Sequence, residues 1–183
     1  MTTQHTEIEI EGISPLLMHR YPLVPVEAVE KKTSAEQAEY AAYRIPNDSN
    51  ELYIPGENIQ RALISAATYS KGKGRASLQK PAAACLFITP AYVGLGTTEY
   101  VVDSRRVVVP ATKGAIVRHR PRLEQWRGEF TLEWDDMLLS ELQVREIVDN
   151  TGQKVGLLDF RPERKGPFGR FAVVKWETLK QSA

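Results

Sequence analysis

The order of hydrophobic periods predicts an α+β protein with a ferredoxin-like, RRM-type βαββαβ core and a basic β-hairpin inserted into it. Three observations carry the prediction. Ile8 and Ile10 alternate with Glu7, Glu9 and Glu11, and Phe130, Leu132 and Trp134 alternate with Glu129, Thr131 and Glu133, which is the period of half-buried strands. Ile59, Leu63, Ala66 and Ala67 fall on one helical face, and Val144, Ile147, Val148 and Thr151 repeat at i, i+3, i+4 and i+7. Between these halves, residues 104–127 carry seven Lys or Arg against Glu124 alone.

Taken in order, the first strand runs into Gly12 to His19, where Pro15 ends or bulges it. Tyr21 to Val26 holds two prolines and reads as a loop. Ser34 to Arg44 is rich in Ala, Glu and Gln and reads as a short helix. Asn47 to Asn50 is a turn, and Leu52 to Ile54 a short extended piece before Pro55-Gly56. A helix is expected from about Glu57 to Ser70, then a mobile basic loop, Lys71 to Arg75. Ala82 to Leu95 is apolar and reads as a central strand broken at Pro90. Tyr100 to Val102 and Arg106 to Val109 are expected to pair as a ribbon, with Ala115 to His119 a third extended piece. Gly128 to Trp134 is the next strand. Ser140 with Gln143 forms a capping box, Leu139 with Val144 a hydrophobic staple, and Gly152 supplies the stop of the second long helix. The last strand is Arg170 to Trp176, with a polar tail after it. No repeat or long linker divides the chain, so it reads as a single domain, 1–183, with insertions at about 15–53 and 99–122.

Composition narrows the function classes. The chain has 183 residues, of which 42% are hydrophobic, enough for one substantial core. No apolar run approaches the roughly 20 residues that span a bilayer, and the polar, acidic start is unlike a signal peptide. The one cysteine, Cys85, lies in an apolar segment, which fits a core residue in a reducing cytoplasm. Net charge is only +1, but it is segregated. Cations gather at 104–127 and again at Lys71, Lys73, Arg75 and Lys80, while acids gather at 7–11, 27–57 and 129–149, so a nearly neutral protein should carry a positive face.

The densest motif is Gly156 to Phe171. Three glycines and two prolines break regular structure there, and Arg161, Arg164, Lys165 and Arg170 share the loop. Such a loop can present backbone N–H groups and guanidiniums to a phosphate chain together. Two further motifs are Gly12-Ile13-Ser14-Pro15-Leu16-Leu17-Met18-His19 after the first strand and Tyr53-Ile54-Pro55-Gly56-Glu57-Asn58-Ile59-Gln60-Arg61-Ala62-Leu63 at the first helix start. Together the three resemble the RAMP superfamily, the backbone subunits of CRISPR effector complexes, and short phage and mobile-element proteins of that pattern. Here Glu57-Asn58 stand where the family often has two serines. The resemblance implies a protein that binds single-stranded RNA or DNA along its backbone. It also implies side-by-side self-association, each thumb-like hairpin reaching over its neighbour's segment of strand.

For binding, the hairpin comes first: Arg105, Arg106, Lys113, Arg118, His119, Arg120 and Arg122. Arg118, Arg120 and Arg122 share one face of an extended chain, about 6.6 Å apart from a rise of about 3.3 Å per residue, a spacing suited to tracking phosphates. Arg161, Arg164, Lys165 and Arg170 follow, then Lys71, Lys73 and Arg75. Arg61 lies near a helix N-terminus, where N–H groups favour anions. Tyr92, Trp126, Phe160 and Phe168 are possible stacking platforms, the last two flanking the basic loop. Catalytic signals are weak. His5, His19 and His119 lack metal-ligand spacing, no Ser-centred nucleophile elbow is present, and Lys71 to Arg75 lacks P-loop spacing. No catalytic residue, metal or cofactor is assigned. A non-catalytic single-strand-binding protein is the leading expectation. An RNA-cleaving RAMP nuclease is one alternative; the other is a phage structural or assembly protein whose basic ribbon contacts an acidic protein.

Overall fold

A computed structural model describes residues 3–109 and 111–179. The chain is mixed α+β with antiparallel sheets. It starts with β1 (Thr3–Gly12), the two-residue β2 (Leu16–Leu17) and two short helices, α1 (Val26–Glu30) and α2 (Ser34–Ala41). Next come β3 (Tyr53–Pro55), α3 (Gly56–Ala66), α4 (Gln79–Cys85), β4 (Phe87–Thr89) and β5 (Tyr92–Gly94). A long hairpin, β6 (Val101–Val108) and β7 (Ala115–Leu123), leads to β8 (Arg127–Asp135), α5 (Glu141–Asn150) and β9 (Phe171–Leu179). The largest sheet has the order β4-β8-β1-β9; β2-β7-β6 and β3-β5 form two smaller ones.

Strand alternation decides the two faces of the main sheet. Ile8 pairs with Phe130 and Thr6 with Leu132, and all four are buried. Thr6 is satisfied by the Trp134 indole N–H at 3.1 Å, so its burial leaves no unmet hydroxyl. The helices contribute Ile59, Leu63, Ala66, Val144, Ile147 and Val148 to the same core. The other face stays open and carries Glu7, Glu9, Glu11, Glu129, Glu133 and Glu177, with Arg127 and Lys175 among them. This face carries glutamates where a phosphate-binding sheet needs positive charge, and an exposed aromatic on it, Phe87, lies on the edge strand and not at the centre.

The capping box at Ser140 forms as its sequence requires, with Gln143 N–H donating to Ser140 Oγ at 3.4 Å and Ser140 N–H to Gln143 Oε1 at 2.9 Å. A second box forms at Thr33 and Glu36. Several expectations need correction. Residues 79–85 are helical, not part of a central strand, because the Ala82-Ala83-Ala84 run favours a helix. The strands on either side of Pro90 are short, and one of them joins β3 instead of the main sheet. The hairpin is one long pairing of 101–108 with 115–123, since no Gly or Pro interrupts 101–108. Gly152 does not stop the second long helix: a π-turn, Thr151–Val155, continues it until Gly156 takes φ 74°. The region of Tyr21 to Val26 runs into α1, which was not expected. The last strand runs on through Leu179, so the start of the expected polar tail is strand, and the rest of that tail lies outside the described residues. Among the described residues no helix is long and apolar enough to cross a membrane.

Candidate functional site

The glycine-bounded loop is fixed at many points. Leu157 N–H donates to Gly169 O at 2.9 Å and Phe168 N–H to Phe160 O at 3.1 Å, closing the loop on itself. Gly169 N–H donates to Pro15 O at 2.8 Å, Asp159 N–H to Leu17 O at 3.0 Å, and Arg170 N–H to Ser14 Oγ at 3.0 Å. Leu158 N–H donates to Asn58 Oδ1 at 3.1 Å, which ties the loop to the first turn of α3. Gly169 sits at φ 72° with its Cα against the Leu157 carbonyl, so any Cβ there would overlap that oxygen. Leu158 and Phe160 are also left-handed, at φ 58° and 46°. Two such residues on either side of Asp159 mark a backbone held in a costly conformation by its surroundings.

The three separated sequence motifs therefore meet. His19 from the first, Asn58 from the second, and Leu158, Asp159 and Arg161 from the third line one polar cavity of about 200 Å³, with Tyr43 as a further wall. Asp159 Oδ2 accepts from Arg120 Nη1 and lies 3.5 Å from His19 Nδ1. Burial pushes the Asp159 carboxyl up, but the His19 hydrogen bond and the Arg120 charge outweigh it and hold the group below its ordinary range. Arg161 is held by three hydrogen bonds: its Nη1 donates to Leu158 O at 2.7 Å, and its Nε and Nη2 donate to Glu163 at 3.0 and 2.6 Å. Ser65 Oγ also donates to Glu163. Burial of Tyr43 pushes its phenol up. Tyr43 packs edge-on to Tyr53 at 5.6 Å, and Tyr53 to Tyr92 at 4.8 Å, so an aromatic row runs from the cavity to the exposed Tyr92.

The hairpin places its arginines differently from a free phosphate track. Arg118, Arg120 and Arg122 do share a face, with Arg105 and Asp103 opposite them in register. Arg120 is 5% exposed and committed to Asp159. Arg105 grips Asp103 through Nε at 2.6 Å and Nη2 at 3.0 Å, and Arg122 reaches Asp103 at 3.4 Å and Glu124 at 2.7 Å. Arg118 stands 4.0 Å from Glu30. Alternation chose the right face, but that face is covered by the glycine-bounded loop. Burial pushes the Asp103 carboxyl up, and the Arg105 and Arg122 bonds override it, leaving it lowered. His119 Nδ1 hydrogen-bonds Ser104 Oγ at 2.7 Å on the other face.

Phe168 is buried beneath the guanidiniums of Arg105, at 4.7 Å, and Arg122, at 5.9 Å, so it serves packing and not base stacking. Phe160 is partly buried against it at 5.9 Å. Trp126 is buried, its indole N–H donating to Ser14 O at 2.8 Å; Tyr92 is the stacking candidate that stays exposed. Arg106 and Lys113 on the hairpin are exposed, as are Lys71, Lys73 and Arg75 in the loop after α3 and Arg164 and Lys165 in the glycine-bounded loop. Arg170 is partly exposed beside them. Arg61 is exposed on α3, between Asn58 and Ser65 on the helix face that touches the loop. Cys85 is buried, and burial pushes its thiol up, as befits a core residue.

Sequence reasoning missed His19, Tyr43, Asn58 and Asp159. For His19, Asn58 and Asp159 the signal was the punctuated motifs themselves, each of which delivers a polar residue to the cavity; Tyr43 lies outside all three. Among the described residues no group of three His, Cys, Asp or Glu could hold a metal. No family model matches the chain, and no curated protein matches it.

Proposed function

We propose that this is a non-catalytic, RAMP-type protein that binds single-stranded nucleic acid on a ferredoxin-like βαββαβ core and coats the strand as a side-by-side oligomer. The strand order β9-β1-β8-β4, with α3 between β1 and β4 and α5 between β8 and β9, supports that core. One observation carries the binding reading. Arg61, Lys73, Arg75, Arg106, Lys113, Arg164, Lys165 and Arg170 make no ion pair among the described residues, and they lie on the hairpin, on α3 and in loops, while glutamates line the open sheet face. A backbone-tracking protein needs unpaired cations that water and phosphate can reach. Tyr92 offers an exposed ring for stacking.

The test is fluorescence anisotropy with labelled single-stranded RNA, single-stranded DNA and duplex of equal length across a salt series, with light scattering on the same samples. Neutralising about five phosphates gives a log–log salt slope near roughly −3.5 for a single strand. Scattering should rise in steps as the strand lengthens. Charge reversal at Arg106 and Lys113 together should weaken binding about tenfold or more and flatten the slope. A slope near zero overturns the reading.

A further inference from the structure

The cavity beneath the glycine-bounded loop holds polar atoms that the fold itself leaves unused. Asp159 Oδ2 is taken by Arg120 and His19, but Oδ1 has no hydrogen bond among the described residues. Asn58 Oδ1 is fixed as an acceptor by the Leu158 N–H, so its Nδ2 faces the cavity as a donor with no partner there. The Tyr43 hydroxyl makes no hydrogen bond among the described residues, and His19 keeps its Nε2 free. The Arg120 side chain behind Asp159 is 6% exposed, and its Nε is buried without a partner, so the charge that steadies Asp159 is itself built in at a cost.

This set is wrong for a phosphate. Asp159 is an anion on the cavity wall, and the guanidinium that also lines it, Arg161, has its charge paired with Glu163 and is tied to the Leu158 carbonyl. The set is right for a neutral, planar group that both donates and accepts. The free Asp159 Oδ1 can accept two adjacent N–H donors on its two lone pairs, and the neighbouring Asn58 amide N–H supplies the donor for a carbonyl beside them. Among nucleobases only guanine offers two adjacent N–H donors next to a carbonyl on one edge. A cavity of about 200 Å³, walled by Tyr43 and Leu158, has room for one unstacked base, and the Tyr43-Tyr53-Tyr92 row leads from it to the surface.

We propose that this cavity is a base-reading site that takes one unstacked guanine from the bound strand, with Asp159 Oδ1 accepting from its adjacent ring and exocyclic N–H donors and Asn58 donating to its carbonyl oxygen. The inference rests on the single-strand-binding reading and adds sequence preference to what the cations alone would make a sequence-neutral grip. The hairpin and loop cations hold the backbone, and the cavity sets the register.

The test uses the wild-type chain and three otherwise identical thymidine or uridine oligonucleotides carrying one central guanine, one central hypoxanthine or no purine. The guanine strand should bind about tenfold more tightly than the others, since one good bidentate contact discriminates by about that factor. Hypoxanthine lacks the exocyclic amino donor and should lose most of that advantage without any change to the protein. Asp159→Asn should abolish the preference while keeping salt-sensitive binding, and because this change removes the Arg120 partner, the hypoxanthine strand provides the protein-independent check. Equal affinity for all three strands overturns the base-reading site and leaves backbone binding intact. A preference for ribose over deoxyribose that ignores the base also overturns it. Failure of every strand to bind, at any salt, overturns the single-strand-binding reading and the site with it.

Discussion

Lys175 and Arg120 are both cations among carboxylates, one on the open face of the sheet and the other under the glycine-bounded loop. Lys175 stands 3.0 Å from Glu7, 3.5 Å from Glu177 and 3.9 Å from Glu129, with water around all of them. Arg120 is 6% exposed and locked to Asp159, while Asp103, 5% exposed, is held by Arg105 and Arg122. Proximity is similar in the two regions, but desolvation is not. Around Lys175, removing a charge leaves its partners hydrated. Around Arg120, it strands a carboxylate that the fold has already withdrawn from solvent. Charge on the sheet sets surface character; charge at the hairpin–loop junction holds architecture.

The strongest way to break the junction is through its backbone. Gly169→Ala would drive a methyl into the Leu157 carbonyl at a left-handed position, and urea unfolding should show a loss of about 3 kcal/mol or more. Gly74→Ala is the control: Gly74 is also left-handed, at φ 66°, but has open space around it, so only about 1 kcal/mol should be lost. Next in size is Arg120→Met, which removes the charge but keeps much of the volume. Because Asp159 is 29% exposed, the loss should be about 2 kcal/mol, below the full cost of a buried orphan charge.

Acid should separate the two regions again. The folded Asp159 and Asp103 carboxyls are held below the ordinary aspartate value, so their contribution is present above that value and is lost as pH falls through the lowered, folded one. Wild-type stability should therefore fall more steeply in that window than that of Arg120→Met, read from unfolding curves at stepped pH. The smallest effect is expected at Lys175→Met, which should leave the melting temperature unchanged and its salt dependence flat. A substantial drop there would mean that the sheet face is more desolvated than its exposure indicates.

Much of the fold was legible because alternation and helical spacing report burial directly. Ile8, Ile10, Phe130, Leu132 and Trp134 occupy the buried face that their period demands. Residues 79–95 were misread because a short apolar run has no period of its own, and Ala-rich helix and buried strand look alike there. The site was legible only in pieces. Alternation put Arg118, Arg120 and Arg122 on one face but could not say that a loop from the far end of the chain covers it. His19 and Asp159 carry no local signal for each other, since the contact is made by tertiary packing alone.

The stitching of residues 156–170 to residues 13–17 also has a temporal side. The central strand, β1, precedes both its neighbours, β8 and β9, by more than a hundred residues. The growing polypeptide therefore holds a strand with two empty edges while most of the protein is still being made. The contacts that tie the loop to Asn58 and to Ser14 span 100 and 156 residues, so loop-closure entropy must be met before they form. Completion of the cavity should come late in folding, and a nascent chain stalled before residue 156 should hold its helices with the cavity unformed.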